Sequence, residues 1–185
     1  MLLNQKTKVQ NQMKILPILL FTLLPLSAMA APTVTFQGEV TAQTCQLSLN
    51  GETDGVVLLP TVSTNELPTA GTAAGLTPFT ISVTGCTAAS TETHIAVKFL
   101  GHDVTATGYL GNKAAANAAS NVSVMLSSED GTNPIHLNGV TSVPGLVLPP
   151  NQSSASHRFA AQYVAEGAVT AGAVTAVAEY TLSYL

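Results

Sequence analysis

Two stretches at opposite ends of this chain carry the period of a half-buried strand. In Val34-Thr35-Phe36-Gln37-Gly38-Glu39-Val40, the column Val34, Phe36, Gly38 and Val40 alternates against Thr35, Gln37 and Glu39. Over residues 174–185, Val174, Ala176, Ala178, Tyr180, Leu182 and Tyr184 fall on one face. Successive side chains of a strand point to opposite faces, so this pattern places one face of each stretch against a core. A final strand that is apolar on one face still needs a neighbour for its outer edge. The first strand of another copy of the same chain is a candidate.

The chain opens with Lys6, Lys8 and Lys14, continues through the apolar run Ile15-Leu16-Pro17-Ile18-Leu19-Leu20-Phe21-Thr22-Leu23-Leu24-Pro25-Leu26, and reaches Ala28-Met29-Ala30. A basic stretch, a short apolar stretch and a small-residue site are the three parts of a secretory signal peptide. Residues 1–30 are therefore expected to be removed after Ala30, with Met13 as an alternative start. The apolar run is short of the roughly 20 residues a membrane span needs, so no integral membrane segment is expected in the mature chain. That chain keeps Lys98, Lys113 and Arg158 against ten acidic residues, a net charge of −7 with His neutral. Such a surface does not suit a nucleic-acid phosphate backbone, whose affinity rests on Lys and Arg.

Two cysteines, Cys45 and Cys86, remain. In an oxidising exported compartment an even pair is most simply one disulfide; two free thiols or half of a metal site are the alternatives. Neither alternative has support, since no CxxC spacing occurs and His94, His102, His136 and His157 are scattered. No metal or cofactor is expected.

Along the rest of the chain, Phe79-Thr80-Ile81-Ser82-Val83 alternates cleanly, and in Ile95-Ala96-Val97-Lys98-Phe99 the odd positions point inward. Val122-Ser123-Val124-Met125-Leu126 is closed by the turn signal Asp130-Gly131. Val56-Val57-Leu58-Leu59, Ile135-His136-Leu137 and Gly145-Leu146-Val147-Leu148 are brief apolar pieces, and residues 156–165 form a longer strand. Residues 101–121 read as a loop or one short helix. Short strands at this spacing, with turn residues between them, favour an all-β sandwich in one domain. No catalytic residues are expected: the chain has no Gly-x-Ser-x-Gly elbow, HExxH pair or glycine-rich phosphate loop, and its acidic residues sit singly or in turns.

Four features in order resemble the chaperone-usher fimbrial subunits of Gram-negative bacteria, the type 1 and P pilus pilin family. They are the residues 34–40 motif with Cys45 following, Val83-Thr84-Gly85-Cys86, Phe159-x-Ala161-x-Tyr163, and the carboxy-terminal pattern with Gly172 fourteenth from the end and Tyr184 penultimate. The resemblance spans the mature chain. It implies an incomplete immunoglobulin-like sandwich of six strands plus an amino-terminal donor strand, with one disulfide. It divides the chain into a signal peptide (1–30), a donor-strand extension (31–43) and a pilin domain (44–185).

The resemblance also implies roles. Val34, Phe36 and Val40 would enter pockets of a neighbouring subunit, with Gly38 where only a residue without a side chain fits; a glycine marking a bulge in an ordinary strand is the plainer alternative. Gly172, Val174, Ala176, Ala178, Tyr180, Leu182 and Tyr184 would border the acceptor groove and the surface a chaperone recognises. Expected partners are neighbouring fimbrial subunits, a periplasmic chaperone and an outer-membrane usher, with export through the periplasm to the cell-surface fimbrium and a contribution to adhesion. Only Ala31-Pro32-Thr33 precede the donor motif, a brevity closer to minor or adaptor subunits, or to a less familiar fimbrial type, than to the main shaft subunit. The competing class is a self-contained secreted β-sandwich binding module for sugar or protein. Such a module would possess all its strands, and absence of Trp leaves it few stacking residues beyond Tyr109.

Overall fold

The computed structural model describes residue 40 and residues 45–184. The signal peptide and the donor positions Val34, Phe36 and Gly38 lie outside the described residues, and Val40 is fully exposed.

The alternating stretches become strands because each has one face to bury. In chain order these are β1 (Gln46–Leu49), β2 (Ala73–Thr84), β3 (Thr93–Gly101), β4 (Leu110–Gly111), β5 (Val122–Ser128), β6 (Pro134–Ile135), β7 (Val140–Leu148), β8 (Ala155–Ala165) and β9 (Ala178–Tyr184). A 3₁₀ turn, Thr64–Glu66, follows β1. The strands form two antiparallel sheets, β1-β2-β8-β5-β4 with β6 beside β5, and β7-β3-β9. Phe79, Ile81 and Val83 of β2 and Phe159 and Ala161 of β8 meet Ile95, Val97 and Phe99 of β3 and Leu146 and Leu148 of β7 in one core. Phe159 stacks on Phe79 with centroids 5.7 Å apart and meets Phe99 edge-on at 5.5 Å, so a single ring ties the two sheets together. Cys45 and Cys86 form a disulfide where β1 begins and β2 ends.

The all-β sandwich with one disulfide is as expected, with three local differences. Among the described residues, seven strands have four or more residues rather than six, because the brief apolar piece at residues 145–148 is the end of a nine-residue strand, β7. A register shift between the Ile95–Leu146 and Ala96–Pro144 pairs absorbs Gly145. Gly145 has φ 143° and lies against the His157 ring, where a side chain has no room. The strand tolerates proline because it pairs with β3 alone and lies at a sheet edge. Next, of the two readings of residues 101–121 the loop is the one found, with no helix; the difference is that it carries β4 and makes backbone bonds to partners far away in sequence. Third, β5 is buried on both faces: Ser123 and Ser127 are inaccessible. The Ser123 hydroxyl donates to Glu166 Oε1 at 2.7 Å, which removes the cost of its burial.

Candidate functional site

The smaller sheet stops at β9: among the described residues its order is β7-β3-β9. The chain ahead of β9 keeps the same in-and-out period, with Val174, Ala176, Ala178 and Tyr180 half-buried and Thr175, Val177 and Glu179 exposed. Facing this wall is an extended segment, residues 55–59, that joins no ladder among the described residues. Its Val57 and Leu59 turn inward, while Val56 and Leu58 are 73% and 84% exposed. Between the two walls lies a groove of about 520 Å³, floored by core residues that include Phe79, Phe99, Leu110, Val124, Leu126 and Ala161.

A second cavity of about 600 Å³ continues the groove between residues 61–67 and residues 169–174. The two cavities share Tyr163 and Val174, so these side chains mark a waist. At the other end, the Tyr180 hydroxyl donates to the Thr53 carbonyl at 3.3 Å, linking β9 to the turn after β1. Burial raises the pKa of Tyr163, and burial followed by the Asp54 carboxylate raises that of Tyr180. Both phenols therefore stay neutral donors over the ordinary pH range.

The expected groove residues separate into two groups. Val174, Ala176, Ala178 and Tyr180 line the first cavity and Gly172 lines the second. Leu182 and Tyr184 continue the same face and pack against the core, outside either lining. Gly172 has a specific reason to be glycine: a Cβ there would lie 2.4 Å from both Ala119 N and Asn117 O. The backbone at 172 thus runs directly against residues 117–119, closer than any side chain permits. The wall at residues 55–59 was not foreseen as part of the site. The signal was present in Val56-Val57-Leu58-Leu59, an apolar run too short for a helix and with no polar alternation to hide half of it.

The groove's lining is apolar, and the described residues bring together no group of three or more His, Cys, Asp or Glu side chains able to hold a metal ion. Among those residues no helix is long and apolar enough to cross a membrane.

A family model described as "Fimbrial protein" matches residues 34–185. The chain belongs to the fimbrial protein family. This fimbrial subunit is 42% identical over 173 residues to the major fimbrial subunit SMF-1 of Stenotrophomonas maltophilia (strain K279a), covering 86% of this chain and 96% of that one. It is 36% identical over 156 residues to the F17 fimbrial protein of Escherichia coli, covering 82% and 86%. In fold it is similar to the crystal structure of the P pilus rod subunit PapA, with a TM-score of 0.58 at 18% identity over 76% of this chain and 99% of that one. The resemblance to chaperone-usher fimbrial subunits read from the sequence therefore holds. The protein is a structural pilus subunit rather than an enzyme, and its relatives are components of surface fimbriae.

Proposed function

We propose that the groove is an acceptor for a strand from outside the molecule, and that this subunit polymerises by donor-strand exchange. The observation that carries this reading is the apolar groove itself. Core side chains such as Phe99 and Leu126 form its floor, and it lies alongside β9, the last strand of the smaller sheet among the described residues. Open backbone edge and exposed core together are costly in water. One added strand supplies a ladder and a lid at once, the strand-addition mode of recognition.

The occupant in the finished fimbria is the residues 34–40 segment of the next copy. Val34, Phe36 and Val40 enter the groove, and Gly38 passes where side chains crowd it. Burying three such side chains at roughly 1.5 to 3 kcal/mol each contributes about 5 to 9 kcal/mol, before ladder hydrogen bonds and the opposing cost of ordering the strand. Donor and acceptor surfaces differ, so the contact is heterologous and propagates as a filament. Before assembly, a periplasmic chaperone lends the strand and an outer-membrane usher exchanges it, with the fimbria then serving adhesion at the cell surface.

The test is strand replacement on chaperone-bound subunit, using peptides of residues 31–41 with and without Gly38→Val. Rapid replacement by the native peptide and none by the variant is the expected result. Equal rates would remove the role of Gly38, and a subunit that remains a soluble monomer when expressed alone would favour the self-contained module instead.

A further inference from the structure

Among the described residues, the wall that leads into β9 meets only an isolated bridge from Ala118 to Ala173 at residues 173–175, and one side chain on that far side adds hydrogen bonds of its own. The Asn112 carboxamide makes four hydrogen bonds. Its Nδ2 donates to the carbonyls of Ala173 at 2.8 Å and Ala119 at 2.9 Å. Its Oδ1 accepts from the amides of Thr175 and Ala114, both at 3.0 Å. Backbone bonds complete the clamp: Lys113 N–H to Thr175 O at 2.7 Å, Ala173 N–H to Asn117 O at 2.7 Å and Ala119 N–H to Ala173 O at 2.9 Å. Gly172 lets the two backbones approach this closely. An asparagine uses both its donors and both its acceptor sites here, a full satisfaction that fixes its orientation.

We infer that Asn112 is a positioning residue for donor-strand entry, holding residues 173–175 as a ready-made wall while the groove is empty. The inference rests on the acceptor reading of the groove. Val174 lines both cavities, at the waist between them, and its two neighbours in the chain, Ala173 and Thr175, are the residues the carboxamide grips. Without that grip the wall is free to sag into the apolar gap beside it. A donor strand must then select the minority of molecules whose wall stands open, and its apparent affinity falls by that fraction. Removing the side chain forfeits the two bonds to the wall while the backbone bonds remain, for which about a tenfold weaker donor affinity is expected.

The experiment uses the full chain in its chaperone complex, carrying Phe36→Asp so that copies do not donate to one another, and a fluorescent peptide of residues 31–41 whose replacement of the chaperone strand is read by anisotropy. Asn112→Ala and the nearly isosteric Asn112→Asp, which turns an oxygen toward the carbonyls of Ala173 and Ala119, are each expected to bind about tenfold more weakly than the parent. Ile81→Val, a core change away from the groove, is expected to leave affinity unchanged, separating positioning from general stability. Peptide binding by Asn112→Ala equal to the parent's overturns the inference. Failure of the parent itself to bind overturns the acceptor reading, and the role of Asn112 with it. Amide hydrogen exchange on the parent is independent of how the variants fold: a Thr175 amide that exchanges as fast as an exposed loop amide also overturns the clamp.

Discussion

Gly172→Ala is the sharpest single test of how the groove wall is built. The added carbon would sit 2.4 Å from Ala119 N and Asn117 O and 2.6 Å from Ala118 C, and all three are backbone atoms that no rotamer change moves aside. Relief requires the two backbones to part by about 1 Å. The Ala173 N–H to Asn117 O and Ala119 N–H to Ala173 O bonds, 2.7 and 2.9 Å long, then stretch beyond useful range. Overpacking of this kind costs about 1 to 3 kcal/mol, and two hydrogen bonds add about 1 kcal/mol each. Because position 172 is exposed on its other side, part of the strain escapes outward, and about 3 kcal/mol is expected. Urea unfolding of the disulfide-intact chain, followed by circular dichroism, reads this directly. The internal control is Gly167→Ala in the same loop, whose Cβ would have its nearest neighbour, the Asn121 side chain, at an ordinary contact distance of 3.5 Å. That change is expected to be neutral or to stabilise by up to about 1 kcal/mol through the unfolded chain. Equal midpoints for Gly172→Ala and Gly167→Ala would refute the close approach.

Replacing Cys45 and Cys86 together by Ala opens a loop of 41 residues and is expected to lower stability by about 4 kcal/mol, measured as the shift in urea midpoint. Phe159→Ala, which removes the ring shared by Phe79 and Phe99, is expected to cost about 3 to 5 kcal/mol in the same assay, against under about 1.5 kcal/mol for a volume-conserving change at a comparable site. The Asp130 carboxyl is pulled down from 3.8 to about 2, first by the Ser128 hydroxyl and then by the Thr132 amide and hydroxyl. Its stabilising effect is therefore complete above about pH 4 and is lost as pH falls from 4 through 2; Asp130→Asn is expected to flatten the stability profile in that window alone, and an unchanged profile would count against the turn's hydrogen bonds.

Much of the sandwich was legible because burial on one face imprints a period of two. Phe79, Ile81 and Val83, and then Ile95, Val97 and Phe99, are all buried as the alternation predicts. The rule fails in β5, where Ser123 and Ser127 occupy the polar phase yet are inaccessible, since a strand between others can be covered on both sides. Pro144 and Gly145 hid the length of β7, because a bulge at a sheet edge reads in sequence as a break. One groove wall was visible in Val174, Ala176, Ala178 and Tyr180. The floor was not, since it assembles from β2, β3, β4, β5 and β8, and the opposite wall, residues 55–59, read only as a brief apolar piece with nothing local to say what it faces. Residues 112–119 were opaque for the same reason: the backbone that Asn112 grips is 61 to 63 residues further along, and no local pattern announces it.

The place of the disulfide has a mechanical consequence. Tension that arrives along the chain at Cys45 meets the sulfur bridge before it meets β1. Without the bridge, such a pull would unzip the four register pairs of β1 and β2 one after another, starting at Gln46 and Thr84. With it, the load divides at Cys45 and passes to Cys86, just beyond β2. That strand is paired along β8 from Val83 to Ala73, so the load enters the middle of the larger sheet instead of falling on the four pairs of β1 alone.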